Sequence, residues 1–414
     1  MNLHPQTKRS PTKTIIIVMV LFGICLGLLS VAIHSVTLNN TLSDDFCTFW
    51  MAGRAVFINH QTPYSQQLNQ QIQMAILKRL ATPQEDQLGL AYPPYSLLAA
   101  LPLFWLNFDW ASPIWMAFNI LALMSALILA FPKAPKWLLG SVFFLYPFSF
   151  GLILGNFAVL IGTIFIIVYG VLITRQKSPL LFQSIAGALM AWTTIKPQFS
   201  WLFILFFLVY ALRKRMYPFI VSFGVAIIAL LALSFWMVPA WPQEWLQRLS
   251  DYSQYNHTWI MLIFYLRYFL PDALSIAISI PIFLLMLVAT ILLGRRWWQG
   301  ALTDLYMLAW CGLVAYLAHP YGKSYEQILI LIPLIQWVST QVSYRSFVIW
   351  LFWTGSLVFS WLAFFTNRMF PNPLIILELP FYVYLVWLVW LYLDLYRNAK
   401  PAPPFQNLER AALP

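Results

Sequence analysis

Long uninterrupted apolar runs leave this chain few ways to fold. The hydrocarbon core of a bilayer is about 30 Å thick and is crossed by about 20 helical residues. Runs of that length lie at 15–37, 110–131, 156–174, 217–238, 272–293, 346–366 and 374–396. Shorter apolar stretches occur at 137–152, 181–195, 197–212, 301–318 and 325–339. Two more, 92–107 and 259–270, read as half-helices or surface helices that make no net crossing. In lipid the backbone must satisfy its own hydrogen bonds, so such runs become helices. The expectation is an all-α, polytopic integral membrane protein with about 12 crossings. Charged residues make up 9% of the chain, against roughly a quarter in soluble domains, which excludes an ordinary globular enzyme.

The scarce charges sort by position. Of the 24 basic residues, sixteen fall on one side if both termini are cytoplasmic: Lys8, Arg9, Lys13, Lys133, Lys136, Arg175, Lys177, Arg213, Lys214, Arg215, Arg295, Arg296, Arg345, Arg397, Lys400 and Arg410. That is the positive-inside pattern. It predicts basic cytoplasmic tails at 1–14 and 397–414 around one membrane domain over 15–396, in a cell membrane. The net charge of +11 is therefore largely topological and not a nucleic-acid footprint. Eight cations remain for the opposite face: Arg54, Lys78, Arg79, Lys196, Arg248, Arg267, Lys323 and Arg368. The first run reads as a retained span, because no small-residue cleavage site follows it. Cys25, Cys47 and Cys311 show no paired spacing, so neither a disulfide framework nor a zinc site is indicated.

With only 13 acidic residues, carboxylates beside apolar spans are functional candidates. Asp44 and Asp45 follow the first span and run into Phe46, Phe49 and Trp50. They suit a helix N-terminus, where acid is favoured by about 0.3–1 kcal/mol, and they equally suit a catalytic pair. The long polar segment 38–91 forms the first outer loop. Within it, Leu68, Ile72, Ile76 and Leu80 mark an amphipathic helix over Pro63–Leu80, suited to a membrane surface or to packing on the bundle. Tyr92-Pro93-Pro94 presets a kink into the next run. Further interruptions fall at Gly155-Asn156, Lys196-Pro197, Asn256-His257-Thr258 and His319 through Glu326. The last gathers an imidazole, an ammonium, phenols and a carboxylate. Glycine-rich phosphate loops, HExxH and GxSxG are absent. An acidic pair, outer cations and many aromatics suit a lipid-anchored phosphate substrate and a hydroxyl acceptor.

Asp45-Phe46 with Phe49 and Ala52, Thr62-Pro63-Tyr64, Tyr92-Pro93-Pro94 followed by Leu101-Pro102-Leu103, Leu154-Gly155-Asn156 and Gly187 through Lys196-Pro197 come in order along the chain. Together with the segments Asn256 to Arg267 and Tyr325 to Pro333, this series resembles glycosyltransferase family 87, polyprenyl-phosphate-dependent mannosyltransferases of the GT-C fold. The likeness covers roughly 40 to 390. Two departures stand out: Asn156 occupies a place where the family's glycine motif usually carries Gln, and the first-loop carboxylate is doubled.

The resemblance implies transfer of a hexose, commonly mannose, from a polyprenyl-phosphate sugar to a lipid-linked or glycan hydroxyl on the outer face of the membrane, with inversion. The family's first-loop base maps onto Asp45, with Asp44 as the alternative, and a later-loop histidine maps onto His319. Arg54, Lys196, Arg267 and Lys323 are then the candidates for the donor phosphate. Tyr92, Asn156, Tyr325 and Glu326 would shape the sugar and acceptor pocket. No cofactor is expected, and metal dependence is left open. The partners are the two substrates and the bilayer, with no nucleic acid. A lipid or glycan transporter is the alternative; it calls for internal repeats and charges paired across facing spans, whereas no repeat is visible and the charges gather at span ends.

Overall fold

A computed structural model describes residues 11–38, 42–175, 178–255, 260–267, 269–320 and 323–341, with scattered positions between 347 and 393. The expected span 374–396 and both expected tails lie almost wholly outside the described residues, as does Asn256-His257-Thr258. Among the described residues the chain is all helical, with one isolated bridge between Ile260 and Pro320.

Helix α1 (Pro11–Thr37) is followed by α2 (Asp44–Phe57) and α3 (Gln66–Leu77), which form the first polar segment. A 3-10 stretch over Pro94–Trp105, broken at Ala100, leads into α4 (Phe108–Ala130). Then come α5 (Lys136–Ser141) and α6 (Tyr146–Leu154), bent by 59° as a pair, and α7 (Phe157–Tyr169), which runs on through a wide turn to Thr174. Next are α8 (Leu180–Ala191), α9 (Pro197–Arg213), α10 (Tyr217–Met237) and α11 (Trp241–Tyr255). After these come α12 (Met261–Leu266), α13 (Asp272–Trp298), α14 (Asp304–Leu317) and α15 (Leu331–Gln341).

Among the described residues five helices are long and apolar enough to cross a membrane, six if the bent α5–α6 pair is one span. α7 is mostly buried, whereas α1, α10 and α13 turn most of their apolar surface outward. Leu28, Ile228 and Leu285 are each about 70% exposed. Exposure on that scale is what a lipid-facing helix shows and a water-facing one avoids. The chain is thus a polytopic membrane protein, with the shorter apolar helices packed around α7. The stretch 92–107 is the 3-10 segment, and the three prolines there, Pro93, Pro94 and Pro102, forbid a regular span. In the stretch 259–270 the described residues form the short α12.

The amphipathic helix of the first loop is α3, shorter at both ends than the sequence pattern. Ser65 caps it by accepting from Leu68 N–H, and it stops at Lys78 in the left-handed region. Leu68 and Ile72 are buried against α2, so α3 is a packing helix; Leu80 lies beyond its end and is exposed.

One junction sets the position of much else. α6 ends at Gly155, whose φ of +67° is left-handed, and α7 starts at once with Asn156 as its cap. A Cβ on Gly155 would stand 2.6 Å from Cβ of Phe46, so α2 approaches here as closely as a bare backbone allows. Trp115 Nε1 donates to the Gly155 carbonyl at 2.9 Å and stacks on Phe46. Gly155→Ala should cost about 1–2 kcal/mol from the backbone alone, with the Phe46 overlap added. A lowered melting temperature of the detergent-solubilised protein is the expected readout.

Candidate active site

The site is built from helix ends, where the chain exposes backbone and polar side chains that a helix interior would not tolerate. Asn156 caps α7: its Oδ1 accepts from Ala158 N–H at 2.8 Å. Lys196 stands at the break between α8's terminal turn and α9, where Pro197 at the first helical position fixes the new axis. His319 and Glu326 flank the break between α14 and the 3-10 turn over Ser324–Ile330. Asp45 sits in the first turn of α2. α7 runs from Asn156 to Thr174, just before Arg175, and α9 from Pro197 to Arg213. These polar groups therefore share one end of the bundle, and the basic clusters Arg175 and Arg213–Arg215 share the other.

At that end lies an open cavity of about 690 Å³ lined by Asp45, Tyr92, Asn156, Lys196, His319, Lys323, Tyr325 and Glu326, among others. A continuous polar chain crosses its floor. Asn156 Nδ2 donates to Asp45 Oδ2 at 2.6 Å, and Lys196 Nζ donates to Asn156 Oδ1 and to Glu326 Oε1, both at 3.1 Å. Glu326 Oε2 accepts from Lys323 N–H at 2.9 Å and stands 3.4 Å from His319 Nε2. Lys196 is 2% exposed, and its ammonium lies 5.1 Å from the Tyr325 ring and 5.6 Å from the Tyr92 ring. Its N–H groups are given to Asn156 and Glu326, with the Tyr92 phenol as a further partner.

Burial pushes the Asp45 carboxyl above the usual carboxylate range; the Asn156 hydrogen bond and the Lys196 charge oppose that rise, and Asp86 and Asp44 add to it. Burial pushes the His319 imidazole down, against the pull of Glu326, so it is neutral near pH 7. A raised carboxylate with one oxygen held by an amide and the other without a hydrogen bond among the described residues is a competent proton acceptor.

The remaining expected residues are placed elsewhere. Asp44 is exposed and outside the cavity lining. Ser43, left-handed at φ 80°, occupies the N-cap position, but its hydroxyl accepts from Ser112 Oγ at 2.9 Å and caps nothing; neither aspartate caps the helix. Arg54 donates to the Phe104 carbonyl at 2.8 Å and lies over Trp50, tying α2 to the 3-10 segment. Arg267 is exposed and paired side-on with Asp272 at 2.7 and 2.9 Å. Conversely, Asp86, Trp245 and Tyr252 line the cavity without having been singled out. The last two come from α11, whose Trp241, Trp245 and Tyr252 recur at helical spacing in a segment too polar to register as a span. Among the described residues no group of three His, Cys, Asp or Glu side chains could hold a metal ion.

The Lys196–Glu326 pair makes a stability test. Lys196→Met alone strands a buried carboxylate and should cost about 3–5 kcal/mol, whereas Lys196→Met with Glu326→Leu should recover most of that loss. Thermal unfolding in detergent reads both, and activity should return in neither.

The sequence profile of glycosyltransferase family 87 matches residues 90–320, a stretch that runs from the loop before Tyr92 to just past His319. No curated protein and no solved structure matches the chain. The profile spans more than half of the sequence and carries Asn156 and Lys196 within it, and the chain belongs to glycosyltransferase family 87, a family of membrane glycosyltransferases.

Proposed function

We propose that this glycosyltransferase takes a hexose from a polyprenyl-phosphate sugar and adds it, with inversion, to a hydroxyl of a lipid-linked or glycan acceptor. The observation that carries the reading is the juxtaposition of a half-buried, raised carboxylate with a buried ammonium across one amide. Transfer to a hydroxyl needs a base on the acceptor side and positive charge on the leaving side. Asp45 Oδ1 takes the proton from the acceptor hydroxyl as that oxygen bonds to the anomeric carbon. The bond from that carbon to the phosphate oxygen breaks, and the lipid phosphate leaves with the electron pair. The Lys196 ammonium, with Lys323 at the cavity rim, stabilises the departing phosphate by its charge. His319 Nε2 stands beside Glu326 Oε2 at the edge of the Lys196 pair, and Tyr92 and Tyr325 offer ring faces to the sugar.

The same arrangement supports an active site on the non-cytoplasmic face: the sixteen cations of the positive-inside pattern include Arg175 and Arg213–Arg215, at the bundle end opposite the cavity. Arg54 and Arg267, both engaged away from the cavity, have no part in this mechanism.

The decisive assay supplies the purified protein with labelled polyprenyl-phosphate sugars, mannose first, and resolves the lipid or glycan product. Asp45→Asn should lower turnover by about a hundredfold or more with folding retained; near-normal turnover would remove Asp45 as the base. The pH profile gives a second check. The base works ionised, so a raised carboxyl moves the acidic limb of kcat/KM above the ordinary carboxylate position. Asn156→Leu removes a contact that favours the ionised form, so its acidic limb should move to still higher pH.

A further inference from the structure

Asp86, from the first polar segment, and Trp245, from α11, line the reaction cavity and have no part in the mechanism above. Asp86 is exposed, and its carboxylate is only half used. Its Oδ1 accepts from Leu88 N–H at 2.8 Å, whereas Oδ2 makes no hydrogen bond among the described residues, and no cation there pairs with the group. Trp245 is half-buried, and its Nε1 donates to the Ala91 carbonyl at 3.1 Å, which fixes the ring where it borders the cavity. An indole face is electron-rich and attracts the C–H bonds of a sugar ring laid on it. A carboxylate oxygen accepts from a sugar hydroxyl and repels another anion.

The charges around the cavity are divided by sign. Thr48, one turn after Asp45 on α2, donates to the Leu88 carbonyl at 3.3 Å, so Asp45 and the stretch from Asp86 to Leu88 form one wall. The Asp86 charge is accordingly felt at Asp45. α11 lies along the same wall: Trp245 meets Ala91, and one turn later the Arg248 guanidinium rests against Gly89. Lys196 and Lys323 stand on the other wall, with Tyr325 and Glu326. The carboxylate on that side, Glu326, is taken up by Lys196. Open negative charge therefore lies on the side of the base, and positive charge on the side assigned to the leaving phosphate.

We infer that Asp86 and Trp245 form the acceptor half of this cavity, a subsite that takes an uncharged sugar ring and rejects an anionic one. The inference rests on the glycosyltransferase reading. Asp86 Oδ2 accepts a hydrogen bond from one hydroxyl of the ring, beside the hydroxyl that Asp45 deprotonates, and the C–H face of the ring packs on Trp245. A carboxylate or phosphate on that ring would meet Asp86 and Asp45 together, a repulsive element of the kind that sets specificity. The donor phosphate meets the lysines across the cavity, so the two substrates are sorted by charge.

The test measures binding of two matched pairs to the full-length protein by saturation-transfer NMR, in a detergent without a sugar headgroup. The pairs are methyl glucoside with its glucuronate and methyl mannoside with its mannuronate; the members of a pair differ only at C6, so their ratio reads the charge. At least one neutral glycoside should bind saturably, with its uronate weaker by about tenfold or more. Asp86→Ala should weaken the neutral glycoside by about tenfold. Asp86→Asn should bring the uronate to within about threefold of its neutral partner, and Asp86→Lys should reverse the preference. Trp245→Leu should weaken the neutral glycoside and leave the ratio as it was. Asp86 is exposed, so its variants keep the fold and decide the matter if Trp245→Leu does not. Failure of both neutral glycosides to bind, a uronate that binds as well as its partner, or affinity and ratio unchanged in the Asp86 variants would overturn the subsite. Sugar transfer assayed in parallel separates the two readings. Transfer with glycoside binding indifferent to Asp86 removes the subsite alone; Asp86-dependent binding without transfer from any polyprenyl-phosphate sugar removes the donor assignment and keeps the subsite.

Discussion

An ammonium cannot sit alone in a water-poor helical bundle, and the functional end of this protein is arranged around that constraint. Lys196 is almost wholly buried, and the groups that make its burial tolerable come from different parts of the chain: Glu326 from beyond α14, Asn156 from the start of α7, and the rings of Tyr92 and Tyr325. Each is positioned by a helix break. Breaks are where backbone N–H groups are unpaired and side chains can turn away from the helix surface. The same breaks provide the partners of the acid side, since the residue that satisfies Lys196 also holds Asp45. Stability and chemistry are coupled here through shared atoms.

That coupling explains why the long spans matter so little to the site directly. α1, α10 and α13 present apolar surface outward and contribute no residue to the polar chain. The site is carried by α7, the most buried of the spans, and by α6, α9 and α14, each too short to register alone as a complete span. Helices that stop within the bundle create termini, and termini create polar sites. The close approach of α2 at Gly155 then brings a carboxylate of the first polar segment onto that layer.

Much of this was legible in the sequence, and the legible parts share a cause. The five long helices follow from apolar length alone, and Gly155-Asn156, Lys196-Pro197 and His319 through Glu326 stand out because a polar residue between apolar runs needs a reason. Their convergence on one cavity was not legible, because it depends on how helices pack and not on local pattern. Arg267 carries a warning in the sequence: Asp272, five residues on at the start of α13, is near enough to pair with it, as it does. Arg54 lies in the last turn of α2, where a cation is favoured and a nearby carbonyl is a ready partner. Arg248 was visible only as an outer cation. What it faces depends on α11, an amphipathic helix whose polarity hid it from a search for spans.

Asn156 has one further consequence. Its amide uses both ends, one toward the carboxylate of Asp45 and the other toward the ammonium of Lys196. Without a spacer, an acid and a cation this near in a low-dielectric cavity would close into a direct pair and satisfy each other. The amide is neutral and can be saturated without consuming either charge. It keeps the two opposite charges close and still separate, so that Asp45 is not drawn into the ion pair that Lys196 makes with Glu326. A Gln at this place would be one methylene longer, so the length of the Asn side chain sets the width of the gap between carboxylate and ammonium.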